Sequence, residues 1–429
     1  MRMDSKKFSW NPYADQPHNV ASRSQRFKAH FSYAGSYLRL AAANLQILVP
    51  ILIRYRAYRR TLHKKCVPIG DPFAVSVSLL DGKEDDILQA LKETGVNHTL
   101  VRIPSWEKDH LPEYDVFIDG LRNSGMDVVI ALLQNREDVL DKKRWIDFLN
   151  HVFSRFSSKS LFFEIGHAWN RTKWGLWDYR EYLELARPAF SAAQTYDVNL
   201  LGPAVIDFEF HLYPPVLKAV DFDAITSLLY VDRVGAPENT QFGWDLSKKI
   251  TLLKAAVDQC SRKGKELWIT EFNWPLKGTG KYSPASGKPN VSEEQQANFL
   301  VRYYILALST GMVKRIYWWQ LAAPGYGLID NRGKQWRKRP SFLAFKTLVV
   351  HLRNSEFVRK EMNADAEIFL FRKNRDNFAV CWTKKGCSRH SFSDPILRAL
   401  DRDGEELGFS GTRLVLTEKP VYVSFGSKE

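Results

Sequence analysis

Cysteine is scarce in this sequence: Cys66, Cys260, Cys381 and Cys387 are the four in 429 residues. None forms a C-x-x-C pair and none has a histidine at zinc-ligand spacing, which argues against a disulfide framework and a Cys/His metal site. No metal and no cofactor are expected, and the thiols point to a reducing compartment. A secretory leader is not apparent either. After Met-Arg-Met-Asp-Ser-Lys-Lys there is no short apolar core and no small-residue cleavage site. Acidic residues are few at the start of the chain. Residues 1–66 hold 13 Lys/Arg against 2 Asp/Glu, while the rest is close to balance at 49 against 46. The net charge of +14 therefore belongs mainly to an N-terminal extension. A nearly neutral body argues against nucleic acid as a partner, and a basic tail argues for an anionic surface.

Long apolar runs are also lacking, with one short exception. The first thirty residues are polar, have no hydrophobic periodicity, and are expected to be disordered or loosely draped. Leu40–Ile53 is then apolar except for Asn44 and Gln46. Arg39 precedes it, and Arg54, Arg56, Arg59 and Arg60 follow, interleaved with Tyr55 and Tyr58. Its length falls short of the roughly 20 residues a spanning helix needs, and Pro50 interrupts it. Two readings stand side by side: an interfacial helix on an anionic membrane, through residues 37–65, and a helix packed on the outside of the next domain. A span starting near Phe31 is a third. The interfacial reading places the protein in the cytoplasm, peripheral on the inner face of the cytoplasmic membrane.

Aromatic residues, in contrast, are abundant, with 13 Trp, 17 Tyr and 26 Phe, which suits a large core, sugar stacking or a membrane interface. After Pro68-Ile69-Gly70-Asp71-Pro72, read as a linker, strand-like and helix-like runs alternate. The expected strands are Phe73–Leu79, Thr99–Ile103, Asp127–Leu133, Leu161–Gly166, Leu200–Ile206, Ala224–Tyr230, Leu267–Glu271 and Arg315–Gln320. Amphipathic runs separate them, one opened by the capping box Ser292-Glu293-Glu294-Gln295. Eight such units predict an α/β protein, a (β/α)8 TIM barrel. Beyond Asn354 short β-like runs replace the alternation. The expected domains are a basic, partly disordered extension with an apolar helix (1–66), the barrel (67–353) and a small C-terminal β-sandwich-like domain (354–429).

The chemistry concentrates in Leu267-Trp268-Ile269-Thr270-Glu271. It is an apolar, β-branched run without alternation, as in a strand covered on both faces, and it ends in a carboxylate where a barrel builds its active site. A second such end is Phe163-Glu164-Ile165-Gly166-His167-Ala168-Trp169-Asn170. With Arg102, Tyr230 and Tyr317-Trp318-Trp319, these runs resemble the clan A retaining glycoside hydrolases, most closely the family 39 type, over residues 70–350. The resemblance implies a carbohydrate substrate and a nucleophile at Glu271. It also implies a second Glu, the acid/base, at the position held here by Ala168, with His167 in place of the preceding Asn and Leu228 where a His is frequent. Glu164, His167 or the Asp207/Glu209/His211 group are the candidates to replace the missing acid. Arg102, Trp106, Asn170, Trp174, Tyr230, Trp274, Trp318 and Trp319 are the candidate substrate-binding residues. Two functions follow: a glycosidase acting on a cell-envelope polysaccharide or glycolipid glycan, or a degenerate, non-catalytic glycan-binding or scaffold protein.

Overall fold

The computed structural model describes residues 9–17, 33–231, 235–283 and 290–426. The chain begins with two paired two-residue strands, β1 (Trp10–Asn11) and β2 (Gln16–Pro17). A 28-residue helix, Ala34–Thr61, precedes β3 (Val67–Pro68). Then come β4 (Phe73–Val77), β5 (His98–Pro104), β6 (Asp127–Leu133), β7 (Phe162–Ile165), β8 (Asn199–Ile206), β9 (Ala224–Leu228), β10 (Leu267–Phe272) and β11 (Arg315–Trp318), with helices between them. These eight strands pair in parallel in chain order, and β11 closes on β4 to complete a barrel.

Burial explains why unbroken apolar runs became these strands. Every residue of β4, β5, β9 and β10 is buried, because one face meets the helices and the other fills the barrel. The filling uses small residues, Ala74, Ala131 and Ala224, beside Trp268 and Tyr317. Helix ends follow local chemistry. Ser292 and Gln295 form the reciprocal capping box of the helix Glu293–Leu308. The helix Glu84–Thr94 stops at Gly95, whose φ of 74° is open to glycine without steric cost.

After the barrel, β12 (Ile329–Asp330) and β13 (Arg337–Lys338) form a small ribbon ahead of the helix Pro340–Leu352. The C-terminal part is all β: β14 (Glu356–Glu361), β15 (Ala366–Lys373), β16 (Asp376–Thr383), β17 (Cys387–Ser391), β18 (Ile396–Asp401), β19 (Arg413–Thr417) and β20 (Val421–Phe425). Its main sheet runs β18-β20-β16-β15-β14-β3, with β17 and β19 paired separately. The presumed linker is therefore partly an edge strand: Val67 and Pro68 pair with Phe357 and Glu356.

One expectation about the extension is revised, and of the readings of its apolar helix the structure shows packing on the barrel. Residues 9–17 are not loosely draped; they lie in the barrel mouth, as described below. The apolar helix packs on the barrel's outside, against the helices Tyr213–Ala219 and Leu246–Cys260. Ser36, Leu40, Ile47 and Ile51 face inward. The Tyr33 hydroxyl donates to Glu181 (2.9 Å), that of Ser36 to Asp178 (2.7 Å), and that of Tyr58 to Asp258 (2.6 Å). The opposite face leaves Leu38, Leu45, Val49 and Ile53 exposed. The helix is long and apolar enough to cross a membrane by length and composition.

Barrel and β domain share one apolar core, which includes Phe357, Phe369 and Trp382. Fully buried Arg302, on the helix Glu293–Leu308, bridges them. It donates to the carbonyls of Thr383 and Glu418 and lies 3.7 Å from Glu238. Truncating one partner of a buried ion pair strands the other charge, at a cost of roughly 3–5 kcal/mol. Arg302→Ala is therefore expected to lower the urea unfolding free energy by about 3 kcal/mol. A change within experimental error would show that the bridge does not hold the domains together.

Candidate active site

Glu271 stands near the C-terminal end of β10 with its side chain 7% exposed. Arg102 Nη2 donates to its Oε2, and the Tyr230 hydroxyl donates to Oε1 at 2.5 Å. The guanidinium lies flat on the Trp319 ring, 3.2 Å from its centroid, so stacking and ion pairing fix the same side chain. Asn273 pins the Trp319 loop by donating to the Trp319 carbonyl at 2.7 Å. Burial and the nearby Asp15 carboxylate push Glu271 above the usual carboxylate range, while Arg102, Tyr230 and Lys173 pull it down.

His167 reaches the same point by way of strained backbone. Gly166 has φ 77°, and a Cβ there would lie 2.5 Å from the Tyr182 ring. Ala168 follows at φ 44°. Gln134 clamps the turn, accepting from the His167 amide (2.9 Å) and donating to the His167 and Trp174 carbonyls. The imidazole Nε2 then sits 3.0 Å from Arg102 Nη2 and 3.4 Å from Glu271 Oε2. A guanidinium has no acceptor, so Nε2 is the acceptor and the ring proton is on Nδ1. Burial and the Arg102 charge hold His167 well below the usual imidazole range. His167, one of the expected candidates for the general acid, thus stands beside Glu271 with Nε2 facing the carboxylate.

The other candidate acids lie elsewhere. Glu164 is buried inside the barrel, off the lining of the cleft, and one of its oxygens is without a hydrogen-bond partner among the described residues. Burial, with the Glu271 charge adding, raises it to about 7 against the pull of Thr270 and Thr226. Asp207 and Glu209 are both ion-paired with Arg171 at 2.5 Å. The His211 carbonyl accepts from Asn44 of the N-terminal helix. Ala168 is fully buried in the barrel-interior cluster with Leu228 and Trp174 and does not line the cleft.

Of the candidate substrate-binding residues, Arg102, Trp174, Tyr230 and Trp319 line the cleft with Glu271 and His167. Trp106 packs close by, against Trp10. Three do not join them. Trp318 is fully buried between barrel and helices, edge-on to Phe272. Trp274 donates to the Gly235 carbonyl and packs on Phe299 and Tyr303. Asn170 exchanges hydrogen bonds with the Ile206 backbone, a loop clamp. Strand alternation explains the Trp318/Trp319 difference, since neighbours point to opposite faces. Residues 284–289, in the loop after β10, lie outside the described residues.

Sequence reasoning missed the contribution of β1 and β2. Ala14, Asp15 and Gln16 line the cleft, with Lys173, Asn273 and Pro275. Asp15 lies 3.4 Å from Arg102 Nη1 and accepts from Gln320 Nε2 at 3.3 Å. Its pKa is raised, burial outweighing Arg102 and Gln320. The pairing of Trp10 and Tyr13 with the turn-forming Asn11-Pro12 was the available signal.

Glu164 gives a pH prediction. Its folded pKa of about 7 lies above its ordinary 4.5, so the folded state holds the proton more tightly. Its stabilisation is present below pH 4.5 and is lost as pH rises through about 7, a loss of about 3 kcal/mol. Glu164→Gln should therefore flatten the fall of unfolding free energy over that window and gain on the wild type above pH 7. Parallel profiles for the two proteins in chemical denaturation would contradict the assignment.

No protein-family model matches the chain, and no curated protein matches it. Solved structures do. A family 39 glycoside hydrolase from the gut symbiont Bacteroides cellulosilyticus WH2 matches with TM-score 0.67 at 15% identity, over 84% of this chain and 81% of that one. A GH51 arabinofuranosidase from Xanthomonas axonopodis pv. citri matches with TM-score 0.55 at 12% identity, over 84% and 93%. A glucosidase from Croceicoccus marinus matches with TM-score 0.54 at 13% identity, over 85% and 99%. The fold the chain shares with these structures is a TIM barrel, followed here by a C-terminal β domain.

Proposed function

We propose that this protein is a glycosidase-type enzyme acting on a cell-envelope polysaccharide or glycolipid glycan, with Glu271 as the nucleophile of a retaining mechanism. The observation that carries this reading is Glu271 itself, at the barrel mouth, gripped by Arg102 and Tyr230 beside the Trp319 face. In the reaction Glu271 attacks the anomeric carbon as the bond to the leaving oxygen breaks, giving a glycosyl-enzyme that water hydrolyses. Trp174 and Trp319 line the cleft as aromatic walls, the Trp319 face itself being covered by Arg102. Ala168 has no proton for the leaving oxygen, and general-acid help is worth about 10²–10⁴-fold. Substrates with good leaving groups, such as nitrophenyl glycosides, are therefore the ones this site turns over best.

The second reading, a non-catalytic glycan-binding protein, is favoured by one feature: Ala168, at the position where the resemblance implies the acid/base, carries only a methyl group. One pair of variants separates the two. Ala168→Glu should raise turnover of unactivated glycosides by about 10²-fold or more, and Glu271→Gln should abolish turnover of nitrophenyl glycosides. Glycan binding by the wild type, with no turnover in either protein, would favour the second reading.

The anionic-membrane association belongs to the same proposal. Leu38, Leu45, Val49 and Ile53 form an exposed apolar stripe, flanked by Arg39, Arg56 and Arg60. Each such cation near an anionic surface contributes about 1 kcal/mol. Because the inward face is bonded to the barrel, the helix lies along a membrane surface in this reading, and the free thiols suit the cytoplasmic side. Leu45→Glu with Val49→Glu should reduce sedimentation with phosphatidylserine vesicles by tenfold or more, since each removes apolar burial and adds repulsion. Equal sedimentation of variant and wild type would sink the association.

A further inference from the structure

The cleft beside Glu271 is too small for the ligand it is built to receive. The remaining space is about 60 Å³, whereas ligand sites commonly measure about 300–1,000 Å³. The chain's own N-terminus takes up the rest. The turn between β1 and β2 enters the mouth, burying Ala14 to 2% exposure and leaving the Asp15 side chain three-quarters covered. Contacts on several sides hold it. Trp10 packs on the rings of Trp106 (5.2 Å) and Trp174 (6.0 Å). Tyr13 meets Tyr282 edge-on at 5.5 Å, and Lys281 Nζ lies 3.7 Å from the Tyr13 ring. Lys173 Nζ donates to Gln16 Oε1 at 2.5 Å.

Asp15 takes the most telling position. It faces Arg102 Nη1 while Glu271 holds Nη2 of the same guanidinium, and it accepts from Gln320 on the loop after β11. Asp15 also adopts φ 49°, a left-handed conformation uncommon outside glycine, which the surrounding contacts must sustain. A polar, aromatic-bearing turn thus occupies the volume next to the nucleophile, on donors and ring faces of the kind a sugar would use.

We infer that residues 9–17 are an autoinhibitory strap: they fill the glycan cleft in the resting protein and must leave before a sugar can reach Glu271. The inference rests on the reading of this cleft as a carbohydrate site. The strap is part of the chain, so it competes as an intramolecular ligand at high effective concentration. Apparent affinity for a glycan is reduced by the fraction of molecules in which the cleft is open. Weakening the strap therefore raises apparent affinity and kcat/KM together at low substrate, with no change in the residues that do the chemistry.

The test uses the full-length chain with Trp10→Ala and Tyr13→Ala combined, and separately Asp15→Ala. None of the three side chains belongs to the barrel core, so melting temperatures should match the wild type. Hydroxyl-radical footprinting reads the exposure of Trp174 and Trp319, which are 3% and 4% exposed with the strap in place, independently of any activity. A panel of 4-nitrophenyl glycosides reads turnover. The strap predicts oxidation of both tryptophans several-fold faster in the variants, with turnover up by about tenfold or more where a substrate is found. Faster oxidation with no turnover of any glycoside by any form supports the strap and counts against the glycosidase reading. Unchanged oxidation overturns the strap. Faster oxidation with turnover lost in Asp15→Ala also overturns it, because Asp15 would then be supplying a group the reaction needs.

Discussion

Arg102 is the cation on which the mouth of this barrel depends. Its guanidinium lies on Trp319, gives one nitrogen to Glu271 and His167, and turns the other toward Asp15. One planar fork can satisfy several groups at fixed angles, which a lysine could not do. Without it the Asp15 and Glu271 carboxyls would share the site with only Lys173 as a nearby counter-charge, which favours a proton on one of them. Burial, with this cation beside it, holds His167, 3.0 Å away, well below the usual imidazole range. The hold on Glu271 and the lowered basicity of His167 therefore both involve Arg102.

The rest of the barrel serves that arrangement by stiffness. β5 and β10 are buried along their whole lengths, so the Arg102 and Glu271 backbones are fixed by packing on both faces. Gln134, Asn273 and Gln320 add hydrogen bonds that set the loops carrying His167, Trp319 and Asp15. Two residues near the site are buried instead. Ala168 lies in the barrel interior, and the Glu164 carboxyl, also inside the barrel, is raised by burial to about 7. Glu164 is thus a buried load on the fold near neutral pH, off the lining of the cleft.

Much of this was legible in the sequence because it depends on period and order. Parallel strands buried on both faces read as unbroken apolar runs, and the capping box at Ser292 marked a helix start that the structure contains. Glu271, Arg102, Tyr230, His167, Trp174 and Trp319 meet at one point because each stands near the same end of its strand. Trp274 and Trp318 were misplaced because position near a strand end does not say which face a side chain takes. The strap was missed for another reason. Asp15 and Arg102 are 87 residues apart, and the strap's residues have no periodicity of their own; only its contacts give it a shape. The N-terminal helix was legible as a helix, but its packing rests on side-chain pairs such as Ser36–Asp178 and Tyr58–Asp258, which no local pattern announces.

The central claim is that Glu271 attacks an anomeric carbon, and covalent trapping tests it most directly. A retaining enzyme treated with a 2-deoxy-2-fluoro glycoside bearing a good leaving group accumulates the glycosyl-enzyme, because the fluorine slows both steps while the good leaving group restores only the first. The account predicts one added sugar mass per chain, mapped by peptide mass spectrometry to the peptide Leu267–Trp274 and to Glu271 within it, and absent from Glu271→Gln. Labelling at a different carboxylate, or full turnover of a glycoside by Glu271→Gln, would contradict it.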